Sequence, residues 1–126
     1  MQRVEVKVTT TGDDASASGS GNSDICNGKL HAVYLDYHAS APGATTDVTL
    51  ALAEAPAATL LTVTDSATDG WYFPRQQVCD TAGAGLTYDG TRTINEPFPV
   101  TGRLTVSVAQ SNALTNCVTA YIYVEE

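Results

Sequence analysis

Apolar and polar residues alternate with a period of two along much of the chain, the spacing of strands whose side chains point to opposite faces. Val4, Val6 and Val8 alternate with Arg3, Glu5 and Lys7, which predicts a first strand with one wet side. Within residues 29–38, Leu30, Val33, Tyr34, Leu35 and Tyr37 make both faces apolar, as a central strand requires, and the stretch Ala39–Ala44 with Pro42 and Gly43 ends it. Val48, Leu50 and Leu52 alternate with Asp47, Thr49 and Ala51 until Ala55-Pro56, and Leu60, Leu61 and Val63 form a short strand that stops at Asp65-Ser66. Two strands close the chain: Leu104, Val106 and Val108 against Arg103, Thr105 and Ser107, then Val118, Ala120, Ile122 and Val124. Tyr121 and Tyr123 fall on the opposite face of that last strand, where a water-facing strand normally carries charge, so a second surface is expected to cover them.

The segments between are less regular. Thr11–Asp24, rich in Gly, Ser, Asp and Ala, predicts a long loop or mobile arm. Gly70–Val78 holds Trp71, Tyr72 and Phe73; its Pro74 removes a ladder donor and assigns the segment to an edge or a bulge. Asp80–Pro99 reads as irregular, with a weak strand near Leu86–Tyr88. Seven or eight short strands without any 3.6-residue periodicity predict an all-β fold, an antiparallel β-sandwich or jelly roll, forming one domain over residues 1–126. The alternating residues Val4, Val6, Val48, Leu50, Leu52, Leu104, Val106, Val108, Ile122 and Val124 are its expected core.

Charge narrows the function classes. Six Lys or Arg stand against fourteen Asp or Glu, a formal charge of −8. That balance repels phosphate backbones and anionic membrane surfaces, so neither nucleic acid nor membrane is an expected partner. No apolar run approaches spanning length, and Met1 leads into the alternating strand rather than into a signal sequence, so the chain is expected either to be made and folded in the cytoplasm or to have been trimmed.

Catalytic and metal motifs fail on spacing. His31 and His38, near Asp36 and Cys26, are seven residues apart and point to opposite faces of one strand. Asp13, Asp14 and Asp24 lack the ligand spacing of a calcium loop. Gly19-Ser20-Gly21 is not a nucleophile elbow, and Gly83-Ala84-Gly85 has no helix to complete a phosphate cradle. No enzyme activity, cofactor or metal is therefore expected. Trp71, Tyr72 and Phe73 beside Arg75 are candidate interface anchors, because such residues bury much area at little entropic loss; the competing reading places Trp71 and Phe73 in the core. A carbohydrate-binding sandwich, with Tyr72, Tyr88 and Tyr121 stacking on sugars, is a further alternative.

The opening Met1–Thr10 sequence MQRVEVKVTT, Gly28-Lys29-Leu30, the run Pro74–Val78 leading into Asp80–Ala84, and Leu104–Gln110 resemble small virion-associated proteins of tailed bacteriophages encoded among head and neck genes. The resemblance implies a non-enzymatic structural protein of the virion: a decoration or cement subunit on the capsid, bound to the major capsid protein as a homo-oligomer, with a trimer favoured. The alternative it leaves is a neck, head–tail connector or collar-associated protein. The interface is expected among Trp71, Tyr72, Phe73, Arg75, Tyr121 and Tyr123. Cys26, Cys79 and Cys117 are not part of the pattern. Three is an odd number, so either all are buried reduced thiols or at least one forms a disulfide to a neighbouring subunit outside the cell.

Overall fold

In a computed structural model, which describes residues 1–40 and 42–126, eleven strands and no helix are found among the described residues. Ala41, inside the turn expected to end the central strand, lies outside them. The first sheet has the order β1 (Gln2–Val8), β11 (Val118–Glu125), β3 (Cys26–Tyr37), β6 (Gly70–Tyr72), and β9 (Pro99–Gly102) pairs with the other end of β3. The second runs β2 (Ala17–Asn22), β10 (Leu104–Ser111), β4 (Asp47–Leu52), β5 (Thr59–Val63). All pairings are antiparallel, and the sheets curl toward each other as a sandwich close to a half-barrel.

The core lies between the sheets because the alternating residues of both turn inward. Val4, Val6 and Val8 meet Val118, Ala120, Ile122 and Val124 from one side, and Val48, Leu50, Leu104, Val106 and Val108 from the other. Nine of the ten expected core residues are buried; Leu52 is half-buried at the rim and packs against the rest. In β3 the alternation slips once. Ala32 opposes Tyr123 and Leu30 opposes Val124, which leaves His31 as an extra residue in a bulge. The bulge allows Leu30 and Val33, three apart, both to face the core, and it turns the intervening Ala32 to the outer face.

The segment expected to be a loop or mobile arm, Thr11–Asp24, is corrected: residues 17–22 are a strand paired with β10 from Asn22 opposite Thr105 to Ala17 opposite Ser111. Its glycines serve packing. A Cβ at Gly19 would collide with the Thr9 carbonyl oxygen, so only glycine lets β2 approach the end of β1 and close that side of the sandwich. Asp80–Pro99, expected to be irregular, is also more ordered than its composition implies. Arg75–Gln77 (β7) pairs with Asn95–Pro97 (β8), and beyond this ribbon three segments bond cyclically: Val78 N–H to the Ile94 carbonyl (2.7 Å), Leu86 N–H to Val78 (2.7 Å) and Ile94 N–H to Leu86 (3.2 Å). Both tight turns are capped by aspartate. Asp80 accepts from the N–H groups of Ala82 and Ala84, and Asp89 from those of Thr91 and Arg92. The result is a small knob, a two-stranded ribbon extended by a third segment, inserted between β6 and β9 at the edge of the first sheet; the strand expected near Leu86–Tyr88 is corrected to isolated bridges at Gly85 and Thr87.

Candidate functional site

The outer face of the first sheet should be polar, as in most half-solvated antiparallel sheets. Instead, register places Glu5, Tyr121, Tyr34 and Trp71 side by side across β1, β11, β3 and β6. One row away stand Arg3, Tyr123 and Ala32. Trp71 and Phe73, two apart, project on the same side. Ring centroids are 5.0 Å apart for Tyr34 and Trp71, 5.5 Å for Trp71 and Tyr123, and 6.5 Å for both Trp71–Phe73 and Tyr34–Tyr121. Each such pair contributes about 0.5–1.5 kcal/mol beyond its buried area, so the five rings brace one another. The Arg3 guanidinium lies 5.3 Å above the Tyr121 ring and closes the row on the β1 side.

Two shallow apolar grooves flank the Trp71–Tyr123 contact. The first, about 420 Å³, is lined by His31, Ala32, Trp71, Phe73 and Tyr123; the small Ala32 side chain forms its floor. The second, about 350 Å³, lies between Arg3, Tyr34, Trp71, Tyr121 and Tyr123. Trp71 is 53% and Phe73 58% exposed, which decides between the two readings of these residues: they are on the surface, not in the core. Tyr72 is corrected in the opposite sense. Opposite Val33, which faces inward, it is half-buried and packs against the core, so it belongs to neither the face nor a sugar platform. Arg75 is exposed, but its guanidinium donates to the carbonyls of His31 (3.0 Å) and Pro74 (2.8 Å), pinning the stem of the knob to the bulge in β3. Tyr88 lies apart from the other aromatics, on the knob, with Arg92 stacked over it.

Tyr34 was not anticipated as part of this surface. Its signal was present in the tyrosines at 34 and 37, but a run apolar on both faces does not tell which side is covered. The cysteines separate equally clearly. All three are free; Cys26 and Cys117 are buried in the core and Cys79 is exposed on the knob. Cys26 is buried because β3 begins at this residue and points it inward, whereas the exposure of Cys79 corrects the expectation that all three are buried thiols.

The groups tested for chemistry do not converge. His31 sits at the bulge with Nδ1 3.7 Å from the Glu125 carboxylate, while the Nδ1 of His38, at the far end of β3, accepts from the Ser40 N–H. A polar depression of about 360 Å³ includes Asp36, His38, Asp69, Asn116 and Thr119, with the Asp69 carboxylate already accepting from the Tyr37 N–H at 2.7 Å. Among the described residues no group of three His, Cys, Asp or Glu side chains is arranged to hold a metal, and no helix is long and apolar enough to cross a membrane. The chain matches no protein-family model, no curated protein and no solved structure.

Proposed function

We propose that this chain is a non-enzymatic structural protein of a virion, a decoration or cement subunit on the head of a tailed bacteriophage, and that it makes its contacts through the outer face of the first sheet. The observation that carries the docking role is the aromatic row itself: five mutually braced rings, two of them more than half exposed, on a face that otherwise would be charged. Aromatic residues and arginine are the usual anchors of protein interfaces, and here Arg3 borders the row. The phage setting rests on the sequence resemblance. The test is quantitative mass spectrometry of gradient-purified particles from the source: this chain is expected in copy numbers comparable to the major capsid protein. A handful of copies per particle would move it to the neck or connector, and absence from particles would overturn the virion role.

A second reading is favoured by the two open grooves, whose rings stand next to Arg3 and His31 as a sugar site would require: a carbohydrate-binding module. Retardation in gels containing soluble polysaccharides, lost in Trp71→Ala, would support it; unchanged mobility across a polysaccharide panel would remove it.

A further inference from the structure

All eighteen residues from Cys79 to Glu96 are exposed, although their backbone is ordered by the cyclic bonding and capped turns of the knob. Of the seven exposed large hydrophobic residues, five lie between 71 and 94: Trp71 and Phe73 on the face, and Leu86, Tyr88 and Ile94 on the knob. The molecule thus carries an apolar projection and apolar grooves. The two do not meet within one chain, because the knob is exposed throughout and its stem is held by Arg75 on the His31 carbonyl and by the Leu30 N–H on the Phe98 carbonyl.

We propose that the knob of one copy seats on the aromatic face of a second copy, with Tyr88 entering the groove beside Trp71, so that copies associate head to tail. This deepens the reading of that face as a protein contact and rests on it. Three observations select a second copy of this chain. First, projection and groove on one chain that cannot satisfy each other internally form a heterologous pair, which closes into a ring or extends into a chain. Second, eighteen exposed knob residues with their stem approach the roughly 20–30 residues per side of a stable interface. Third, residues 73–98 hold Arg75 and Arg92 against Asp80, Asp89 and Glu96, a net −1, while the remaining residues carry the other −7 of the chain's −8. The knob is therefore a nearly neutral projection through which one acidic copy can touch another, with Arg92 already paired to Asp89 at 3.3 Å and lying over the Tyr88 ring. Because the copies as wholes repel, added salt is expected to tighten the association.

The test is light-scattering mass on the full chain. The wild type is expected at a whole multiple of 13.2 kDa. Tyr88→Ser, which removes the knob's anchor, and Trp71→Ser, which removes the groove wall, are each expected to run at 13.2 kDa with an unchanged circular dichroism spectrum, since both side chains are exposed. Phe73→Ser substitutes for Trp71→Ser if the latter misfolds. Mixed in equal amounts, the two variants retain one intact face and one intact knob between them, so a complex at twice the 13.2 kDa chain is expected. A monomeric wild type, a variant of undiminished mass, or a mixture that stays monomeric overturns the proposal. A monomeric wild type still present in purified particles would overturn this contact alone, whereas an oligomer absent from particles would overturn the virion role alone.

Discussion

Tyr37 is the residue at which burial and polarity conflict. Its hydroxyl is buried without a well-formed hydrogen bond, and desolvation, reinforced by the nearby Tyr72 and Asp69 and opposed in part by Ser66, pushes it up from 10.0 to about 12. The folded state thus favours the neutral phenol. That preference contributes stability that is intact below about pH 10, where the unfolded chain also keeps its proton, and is lost as pH rises from 10 to 12. The loss is on the order of 2 kcal/mol. Tyr37→Phe is expected to remove this alkaline slope and to leave stability at neutral pH equal or higher, because it deletes a buried hydroxyl that has no well-formed hydrogen bond; urea unfolding at neutral pH and near the top of this window checks both. The thiols give a second residue-scale prediction. Burial pushes the Cys26 thiol up, with Ser23 opposing in part, and Cys117 is fully enclosed, so only Cys79 is open to reagents or to a cross-link with a neighbour. Mass spectrometry should find one alkylated cysteine per native chain and three after denaturation.

At the scale of elements, β2 and the knob are opposites. β2 is poor in side chains yet held by close packing, since Gly19 lies against the carbonyl of Thr9. Gly19→Ala is expected to destabilise by more than about 2 kcal/mol, because backbone meets backbone and neither yields cheaply. Gly83→Ala, in open space at the knob turn with φ +87°, is expected to lose only about 1–2 kcal/mol from its left-handed conformation, and that locally. Leu50→Ala in β4 sets the reference for a true core deletion, about 2–5 kcal/mol. Denaturation midpoints are expected to fall for Gly19→Ala and Leu50→Ala and to stay in place for Gly83→Ala, whose loss is confined to the knob. The knob adds no buried side chain between residues 79 and 96, so replacing that span with a tight turn should give the same midpoint as the monomeric Tyr88→Ser chain.

At the scale of the molecule, the single tryptophan reports on the candidate interface. Trp71 is half exposed on the aromatic face of the single chain, so a monomer such as Tyr88→Ser is expected to emit at long wavelength and to be quenched readily by iodide or acrylamide. Assembly that covers the face should shift emission to the blue and protect it. An emission unchanged between the Tyr88→Ser monomer and the assembled wild type would place the contact elsewhere.

The core and the all-β class were legible in the sequence because alternation is a local property: Val4, Val6, Val48, Leu50, Val106 and Ile122 announce the buried face of each strand without knowledge of its neighbours. Tertiary structure alone decided the rest. β2 looked like a loop because glycine and serine favour turns, and it became a strand only through pairing with β10 and the close approach of β1. The direction of Trp71 could not be read from a three-residue strand followed by proline; register opposite Tyr34 turned it outward and Tyr72 inward. Tyr34 joined the same surface because the bulge at His31 fixed which face of β3 meets the core. A period of two identifies two faces of a strand, but when both are apolar only the neighbouring strands determine which one is left open to a partner.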